Sequence, residues 1–278
     1  MKPAAFSYHR ARDLAGAVGL LHELGETRGE QAKPIAGGQS LVAMMNYRLA
    51  RPAHLVDIAR VPGLSGLTLG QDALRIGALT THHEVEHATD AELGPFRVLR
   101  EAMRWIGHPP IRVRGTVGGS LAHADATAEW CLLAVGLDAQ VEAHGPGGTR
   151  TIPAADFLRG WYSTALDPDE LVTAVLFPRP GAARAAVTEF ALRHGDFAVV
   201  SALVDLDGGR VALGGVAPVP IRVPEAEAVL AAGGSYADCA EAAAAAVDPP
   251  SDARASSAHR RALSRNLVRA ACEEAAAR

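Results

Sequence analysis

Two glycine-rich segments of the chain have the residue types of an anion-binding turn. Ala36-Gly37-Gly38-Gln39-Ser40 follows a short predicted strand, and Thr116-Val117-Gly118-Gly119-Ser120 repeats the glycine pair before a hydroxyl. Glycine allows positive φ and close approach of the main chain, and successive amides at the start of a helix form a concave site for phosphate oxygens. Either turn alone is most often only a tight turn. Together, the two turns predict a clamp for the two phosphates of a diphosphate.

The common nucleotide and hydrolase motifs do not occur in the sequence. Neither glycine pair leads into the Gly-Lys-Ser/Thr of a P-loop, and there is no GxGxxG of a Rossmann dinucleotide site. There is also no GxSxG nucleophile elbow. The diphosphate would therefore be held by another kind of fold.

A third pattern, His83-Glu84-Val85-Glu86-His87, matches HExxH. On a helix this spacing puts two imidazoles on one face with a carboxylate beside them, as in zinc peptidases. Thr81 lies three residues before Glu84, however, and this pair also predicts a capping box that explains Glu84 without a metal. We expect the structural role, and keep a zinc peptidase, with Glu101 or His108 as third ligand, as a minor alternative.

The elements that must position these residues follow from hydrophobic periodicity and turn signals. The last two predicted strands are joined by Asp207-Gly208-Gly209, a strong hairpin signal. A break is predicted near residue 178, within Phe177-Pro178-Arg179-Pro180-Gly181. The predicted helices are 14–24, 41–49 (capped by Ser40), 82–90, 95–105 (ended by Pro109-Pro110), 126–135 and 257–277, and the predicted strands are 33–35, 55–58, 67–69, 74–76, 140–143, 149–152, 184–193, 198–206 and 210–217.

Composition narrows the class of protein. The 278 residues carry 27 basic and 31 acidic side chains, a net charge of -4, which disfavours an electrostatic nucleic-acid binder. No uninterrupted apolar stretch predicts a membrane span, and the N-terminus lacks the apolar run of a signal peptide. The three cysteines (Cys131, Cys239 and Cys272) form no CxxC, so this chain alone is not expected to hold an iron–sulfur cluster, and a cytoplasmic location is favoured.

The glycine segments and their surroundings resemble the FAD-binding medium subunit of the molybdenum hydroxylases, the family of aerobic carbon monoxide dehydrogenase and xanthine dehydrogenase. The resemblance extends over nearly the whole chain. The matching residues are Ala36-Gly37-Gly38-Gln39-Ser40-Leu41, Arg48-Leu49-Ala50-Arg51-Pro52 with Leu55-Val56-Asp57-Ile58, Arg114-Gly115-Thr116-Val117-Gly118-Gly119-Ser120 with His123-Ala124-Asp125, and Arg193-His194-Gly195-Asp196-Phe197-Ala198.

The resemblance implies an α+β fold in two parts. Residues 1–177 would form a FAD-binding domain of the vanillyl-alcohol-oxidase (PCMH) type, with one lobe at about 1–60 and a second at 61–177. Residues 178–278 would form a smaller domain of the carbon monoxide dehydrogenase flavoprotein type, with a three-stranded antiparallel sheet and helices.

The resemblance also implies which residues contact a non-covalent FAD, while no catalytic or metal-binding residue is expected in this chain. The glycine segments would hold the diphosphate, Glu129 would supply a carboxylate, and Arg193 and Asp196 would lie close to the flavin ring. The implied contacts are Ile35, Ala36, Gly37, Gly38, Gln39, Ser40, Leu41, Ile106, Thr116, Val117, Gly118, Gly119, Ser120, Asp125, Glu129, Val172, Arg193 and Asp196.

Two positions depart from the family pattern. Glu189 stands where relatives often carry a lysine near the flavin, and an anion there is expected to disfavour reduced, anionic flavin. Ala126 replaces a frequent proline after Asp125, which is expected only to loosen that loop.

The resemblance implies partners as well. A small subunit would supply two [2Fe-2S] clusters and a large subunit the molybdenum cofactor, in a dimer of heterotrimers. Electrons would reach the FAD of this chain and leave to NAD, a quinone, another carrier or dioxygen. The alternatives that remain open are a stand-alone FAD-dependent oxidase, the zinc peptidase, and a binding protein that has lost FAD.

Overall fold

The chain begins with a small parallel sheet covered by a helix. The computed structural model describes residues 2–27, 29 and 31–278. Strands β1 (Ser7–Arg10), β2 (Ala32–Ile35) and β3 (His54–Asp57) lie in the order β1-β3-β2, all parallel. Helix α1 (Leu14–His22) packs its apolar face on this sheet and continues as a π-helical turn, Glu23–Thr27, whereas the sequence predicted a helix that ends at residue 24.

Helix α2 (Leu41–Asn46) follows β2 through the first glycine turn, as the sequence predicted. It ends three residues earlier than expected. Arg48 has a φ of 58°, and a residue in the left-handed region cannot continue a right-handed helix. Met45 is the buried residue of this short helix.

The second lobe is built on an antiparallel sheet of five strands in the order β4-β5-β10-β6-β7. The strands predicted at 67–69 and 74–76 pair as the hairpin β4–β5, and those predicted at 140–143 and 149–152 pair as the hairpin β6–β7. The central strand, β10, was missed because it is buried on both faces and its sequence lacks polar alternation. The strands are β4 (Leu67–Leu69), β5 (Ala73–Gly77), β6 (Gln140–Gly145), β7 (Gly148–Pro153) and β10 (Leu171–Pro178).

Short helices cover this sheet. The helix predicted at 82–90 is in fact two helices, because Thr89 caps a second one. Pro109-Pro110 begin a helix rather than only ending one, since proline is favourable in the first turn. The helices are α3 (His82–Glu86), α4 (Asp90–Leu93), α5 (Arg97–Ala102) with the 3₁₀ turn Met103–Trp105, α6 (Pro109–Arg112), α7 (Val117–His123), α8 (Glu129–Gly136) and α9 (Ala154–Phe157); β8 (Leu158–Gly160) and β9 (Ser163–Thr164) form a small ribbon.

The C-terminal part has an antiparallel sheet with helices on one side. The three predicted strands are present as β11 (Ala185–Phe190), β12 (Val200–Asp205) and β13 (Arg210–Gly214), and a two-residue fourth strand, β14 (Ile221–Arg222), adds to them. The helices are α10 (Pro224–Ala231), α11 (Tyr236–Ala246) and α12 (Ser257–Ala276). The predicted α+β class is confirmed. Within the described ranges, no helix is long and apolar enough to cross a membrane.

Helix α8 joins the second lobe to the C-terminal sheet. All eight of its residues are buried, and it packs against β12 and β13. A Cβ at Gly136 would stand 2.9 Å from Leu203 and 3.1 Å from Ala212, so the helix lies directly on the sheet. This packing fixes Glu129, the first residue of α8, in the seam between the two parts.

Candidate functional site

The two glycine segments, about 77 residues apart in sequence, meet in space. A Cβ at Gly37 would lie 1.9 Å from the carbonyl oxygen of Arg114, so only glycine fits at this contact. The Arg114 guanidinium donates to the Gly37 carbonyl over 3.4 Å. The first segment is therefore packed directly against the start of the second, as a shared site requires.

The first segment presents a run of unused donors. Across the part of the chain that the structure describes, the main-chain amides of residues 37–41 have no protein acceptor. Gly38 has a φ of 72°, which turns successive amides toward one side. The Ser40 side chain was expected to cap α2, but it makes no capping hydrogen bond. Its hydroxyl is thus a further unused donor next to the amides.

The second segment differs from the sequence prediction, because its amides are already paired. Val117 donates to Thr80 over 3.0 Å, Gly118 to Ala78 over 2.8 Å, and Ser120 to the Thr116 carbonyl over 3.0 Å. Thr116 caps α7 by accepting from the Gly119 amide at 3.1 Å. The segment is tied down by these contacts with the β5–α3 connection, so it is not a second nest. What it offers on its surface is exposed Gly119 and the Ser120 hydroxyl.

A group of carboxyl side chains lies beyond α7. Asp125 is 8% exposed and accepts from the Thr127 amide and hydroxyl and from the Tyr162 hydroxyl, at 2.8, 2.7 and 3.1 Å. Burial raises the pKa of Glu129 to about 7, and the charge of Asp125 adds to this rise. Burial and then the charge of Glu129 raise the pKa of Glu189 to about 9. The resemblance did not predict this coupling.

The remaining residues implied by the resemblance fall into two places. Gly195, between Arg193 and Asp196, packs against the loop after Ile106: a Cβ at Gly195 would lie 3.0 Å from the Gly107 carbonyl oxygen. Ile106, Arg193 and Asp196 therefore lie in one region of the structure.

Val172 is 6% exposed in β10 and joins the second-lobe core. It is linked to the second glycine segment through the main chain, because the next residue, Thr173, accepts from the Ala78 amide and Ala78 accepts from Gly118.

The HExxH segment has the structural role that the sequence favoured. Thr81 and Glu84 form a complete capping box, with Glu84 accepting from the Thr81 amide and hydroxyl at 2.7 Å. The Glu84 carboxylate is therefore not available as the general base of a peptidase. His83, Glu86 and His87 do bring three ligand atoms within 4.8 Å of one another.

Glu86 serves a different purpose in this structure. It accepts from Arg112 at 2.9 Å, and Arg112 donates in turn to the carbonyls of Ile106 and Gly107 at 3.2 and 3.3 Å. Neither proposed third ligand joins His83 and His87, since Glu101 pairs with Arg278 and the ring of His108 lies against that of His194. Through Glu86 and Arg112, the HExxH segment is thus linked by hydrogen bonds to the loop that contains Ile106.

Two functional candidates, Tyr162 and His82, were not predicted from the sequence. Tyr162, with a φ of 52°, donates to Asp125, and the neighbouring Trp161 is 52% exposed. His82 is 5% exposed, accepts from the Trp130 indole at 3.0 Å, and has its pKa lowered to about 4 by burial and by Arg112. No local signal marks these residues, because their partners lie 37 and 48 positions away.

The matches to known proteins agree with this geometry. The family described as FAD binding domain in molybdopterin dehydrogenase matches residues 4–180, and the CO dehydrogenase flavoprotein C-terminal domain matches residues 185–275. The chain is 38% identical to the nicotine 6-hydroxylase medium subunit of Paenarthrobacter nicotinovorans, with 100% of both chains covered. It is also 38% identical to the alpha subunit of the 6-hydroxypseudooxynicotine dehydrogenase complex of the same organism, over 96% of this chain and 93% of the relative.

A solved structure extends the similarity to three dimensions. The carbon monoxide dehydrogenase of Hydrogenophaga pseudoflava, in a form that lacks the Mo-pyranopterin moiety, contains a chain that superposes with a TM-score of 0.90 at 33% identity, covering 100% of this chain and 99% of that one. Both halves of the fold and the full length are therefore shared. The chain belongs to the FAD-binding medium subunits of the molybdenum hydroxylases, and it is an oxidoreductase flavoprotein subunit.

Proposed function

We propose that this chain holds FAD non-covalently at the meeting point of the two glycine segments and passes electrons from a partner subunit to an external acceptor. The observation that carries the proposal is the run of main-chain amides at residues 37–41 that find no acceptor in the described part of the chain. Unpaired donors side by side are costly unless an anion or water satisfies them. A diphosphate has the charge and the acceptor number for this role.

The residues of the first segment fit such a group. Gly38 has the positive φ that a nest requires, and Gly37 allows the close contact with Arg114 that brings the second segment alongside. Ser40 adds a hydroxyl that makes no capping hydrogen bond within the described residues. We assign the diphosphate oxygens to these donors, with Ser120 on the opposite side.

The other FAD contacts implied by the resemblance remain part of the proposal. The nest is flanked by Ile35, Ala36, Gln39 and Leu41. The second segment, whose amides are held by hydrogen bonds within the chain, would line the site with Thr116, Val117, Gly118 and Gly119. Asp125, Glu129 and Val172 would lie along the cofactor beyond α7, and Ile106, Arg193 and Asp196 near its ring. In support, Gly195 packs on the Ile106 loop.

Bound FAD would supply the redox chemistry, taking electrons from [2Fe-2S] clusters and giving them to NAD, a quinone or dioxygen. The residues of this chain bind it, orient it and set its electrostatic surroundings. The chain's three cysteines are too few for a four-cysteine cluster, which supports a small iron–sulfur subunit as the electron donor. The relatives are subunits named medium or alpha, which supports further subunits, among them a large molybdenum-cofactor subunit. The dimer of heterotrimers is proposed from the family resemblance alone.

Two coarser assignments belong to the same proposal. We take residues 1–177 as the FAD-binding domain, with lobes at about 1–60 and 61–177, and residues 178–278 as the C-terminal domain; the matched family ranges support this division. We also propose a cytoplasmic location, because Cys131, Cys239 and Cys272 are all free and buried.

The test is a reduction experiment on the purified, FAD-loaded chain. We expect organic hydroxylation substrates to leave the flavin absorbance unchanged until the small and large partner subunits are added. Bleaching by a substrate with the chain alone would instead indicate a stand-alone FAD oxidase. A chain that takes up no FAD would contradict both.

A further inference from the structure

The carboxyl group of Glu189 lies at the seam between α8 and the C-terminal sheet, and its Oε2 is buried. Glu189 on β11 stands directly opposite Ser201 on β12, and Ser201 stands opposite Gly214 on β13. Ser201 is fully buried, and a Cβ at Gly214 would lie 2.5 Å from its hydroxyl oxygen. Among the residues described, neither Oε2 of Glu189 nor Oγ of Ser201 has a hydrogen-bond partner. A buried carboxyl oxygen that no hydrogen-bond donor meets disfavours the charged form of its group.

The segment that begins α8 forms the other wall of this seam. Gly215 donates to the Ala126 carbonyl over 3.2 Å, and that carbonyl oxygen would lie 3.5 Å from a Cβ at Gly214. Glu129, three residues further along, is only 5% exposed. Glu129 begins α8, which packs on β12 and β13, and Glu189 lies on β11, paired with β12. The two carboxyl groups therefore come from the two parts of the fold to the same seam, where the charge of Glu129 acts on Glu189.

The cations around the seam do not neutralise the pair. Arg254 acts on Glu189 at a distance, but its guanidinium donates to the carbonyls of Phe197 and Ala198. Arg260 donates through its two terminal nitrogens to the carbonyls of Val199 and Gly215 and to Asp252, and among the described residues its buried Nε has no acceptor, neither carboxyl group of the pair included. The other titratable groups next to the seam are Asp125, Tyr162 and His259.

We propose that Glu129 and Glu189 act as a carboxyl pair that retains at least one proton at neutral pH, and that Glu189 is thereby a neutral acid beside the flavin ring. The second half rests on the proposed function, because only the family resemblance locates the ring near Arg193. Burial, followed by the charge of Glu129, raises the pKa of Glu189 to about 9, and burial raises that of Glu129 to about 7. Two interacting carboxyls titrate jointly, so the proton belongs to the pair.

The carboxyl pair changes how glutamate at position 189, in place of the lysine that relatives often carry, is expected to act on the flavin. The sequence predicted that glutamate in place of lysine would set an anion against reduced flavin. A neutral acid brings no such charge, and its O–H is a hydrogen-bond donor as an ammonium is. Glu189 is therefore a positioning and tuning residue, and not a catalytic one.

The first test uses the full chain without cofactor and compares wild type with Glu189→Gln. In wild type the folded state keeps a proton that the unfolded chain loses above pH 4.5, so wild-type stability falls as pH rises toward 9. The ratio of the folding equilibrium constant of Glu189→Gln to that of wild type should therefore rise by up to about tenfold per pH unit between pH 4.5 and pH 9.

The control variant is Glu170→Gln. In wild type, Glu170 accepts two hydrogen bonds from Arg150 at 2.7 Å. These bonds lower the pKa of Glu170 by more than its partial burial raises it. This variant should differ from wild type by a constant amount between pH 6 and pH 9, because the Glu170 carboxylate is ionised there in both the folded and the unfolded state. An equally flat difference for Glu189→Gln would overturn the proposal.

Infrared spectroscopy reads the proton directly. At pH 7 the wild-type chain should show a carboxylic-acid C=O stretching band that Glu189→Gln or Glu129→Gln removes or shifts. A spectrum in which neither substitution changes a protonated-acid band would contradict the pair.

The final test measures the flavin midpoint potential in the FAD-loaded chain. Replacing one neutral group by another, Glu189→Gln should leave the potential unchanged at pH 7, and the two proteins should diverge only as pH approaches 9. A more positive potential in Glu189→Gln at pH 7 would mean that Glu189 is an anion. If the chain binds no FAD, the proposed function fails, while the stability and infrared results still decide the carboxyl pair.

Discussion

Substituting Ser40 by alanine separates cofactor binding from folding. Ser40 occupies the N-cap position of α2, yet its side chain makes no capping hydrogen bond, so its removal should leave the free energy of unfolding unchanged. If the hydroxyl donates to the FAD diphosphate, Ser40→Ala loses a hydrogen bond to a charged group, worth about 1.5–3 kcal/mol. FAD should then bind roughly 10- to 150-fold more weakly. Flavin fluorescence during titration of the cofactor-free chain gives the dissociation constant.

Ser235→Ala is the matched control. Ser235 caps α11 by accepting from the Asp238 amide at 3.1 Å, and it donates to the Asp238 carboxylate at 2.7 Å. Its loss should cost about 1 kcal/mol of stability and leave FAD affinity unchanged. The reasoning is refuted if Ser40→Ala binds FAD as tightly as wild type, or if it lowers the melting temperature as much as Ser235→Ala does.

The remaining predictions address the packing around the site. Gly37→Ala must push the two glycine segments apart, because the added Cβ meets the Arg114 carbonyl. It should lower the free energy of unfolding by about 1–3 kcal/mol, measured by denaturant unfolding, and release FAD, measured as flavin content. Full retention of flavin would contradict the close contact. Glu84→Ala removes half of the capping box with Thr81, and calorimetry should show a loss of about 0.5–1 kcal/mol with flavin content unchanged. His82 stays neutral in the fold, because its pKa is lowered to about 4. Unfolded histidine takes up a proton below pH 6.5, so stability should fall from pH 6.5 toward 4, and less steeply in His82→Gln; equal slopes would show that this imidazole, bonded to Trp130, is not the group responsible.

Local signals in the sequence predicted local structure well. The Thr81–Glu84 capping box and the hairpin through Asp207-Gly208-Gly209 depend on residues that are close in the chain, and both are present. Strand β10 was missed because Thr173 is its one polar side chain, so polar and apolar residues do not alternate, and because it acquires its place only by pairing with β5 and β6. Periodicity carries no information about such a strand.

The same limit applies to the site. Glycine pairs predicted two equivalent nests, but the amides of the second segment are paired with Thr80 and Ala78, residues that lie outside any local pattern. The contact of Gly37 with Arg114 and the coupling of Glu129 with Glu189 are likewise products of tertiary packing. Residue types alone identified the first nest, and the fold decides which of the two remains open.

The most direct test is an experimental structure of the FAD-loaded chain at a resolution that places the diphosphate oxygens. We expect those oxygens within hydrogen-bonding distance of the main-chain amides of residues 37–41 and of the Ser40 hydroxyl. A diphosphate bound elsewhere, with those amides still facing water, would contradict the central claim.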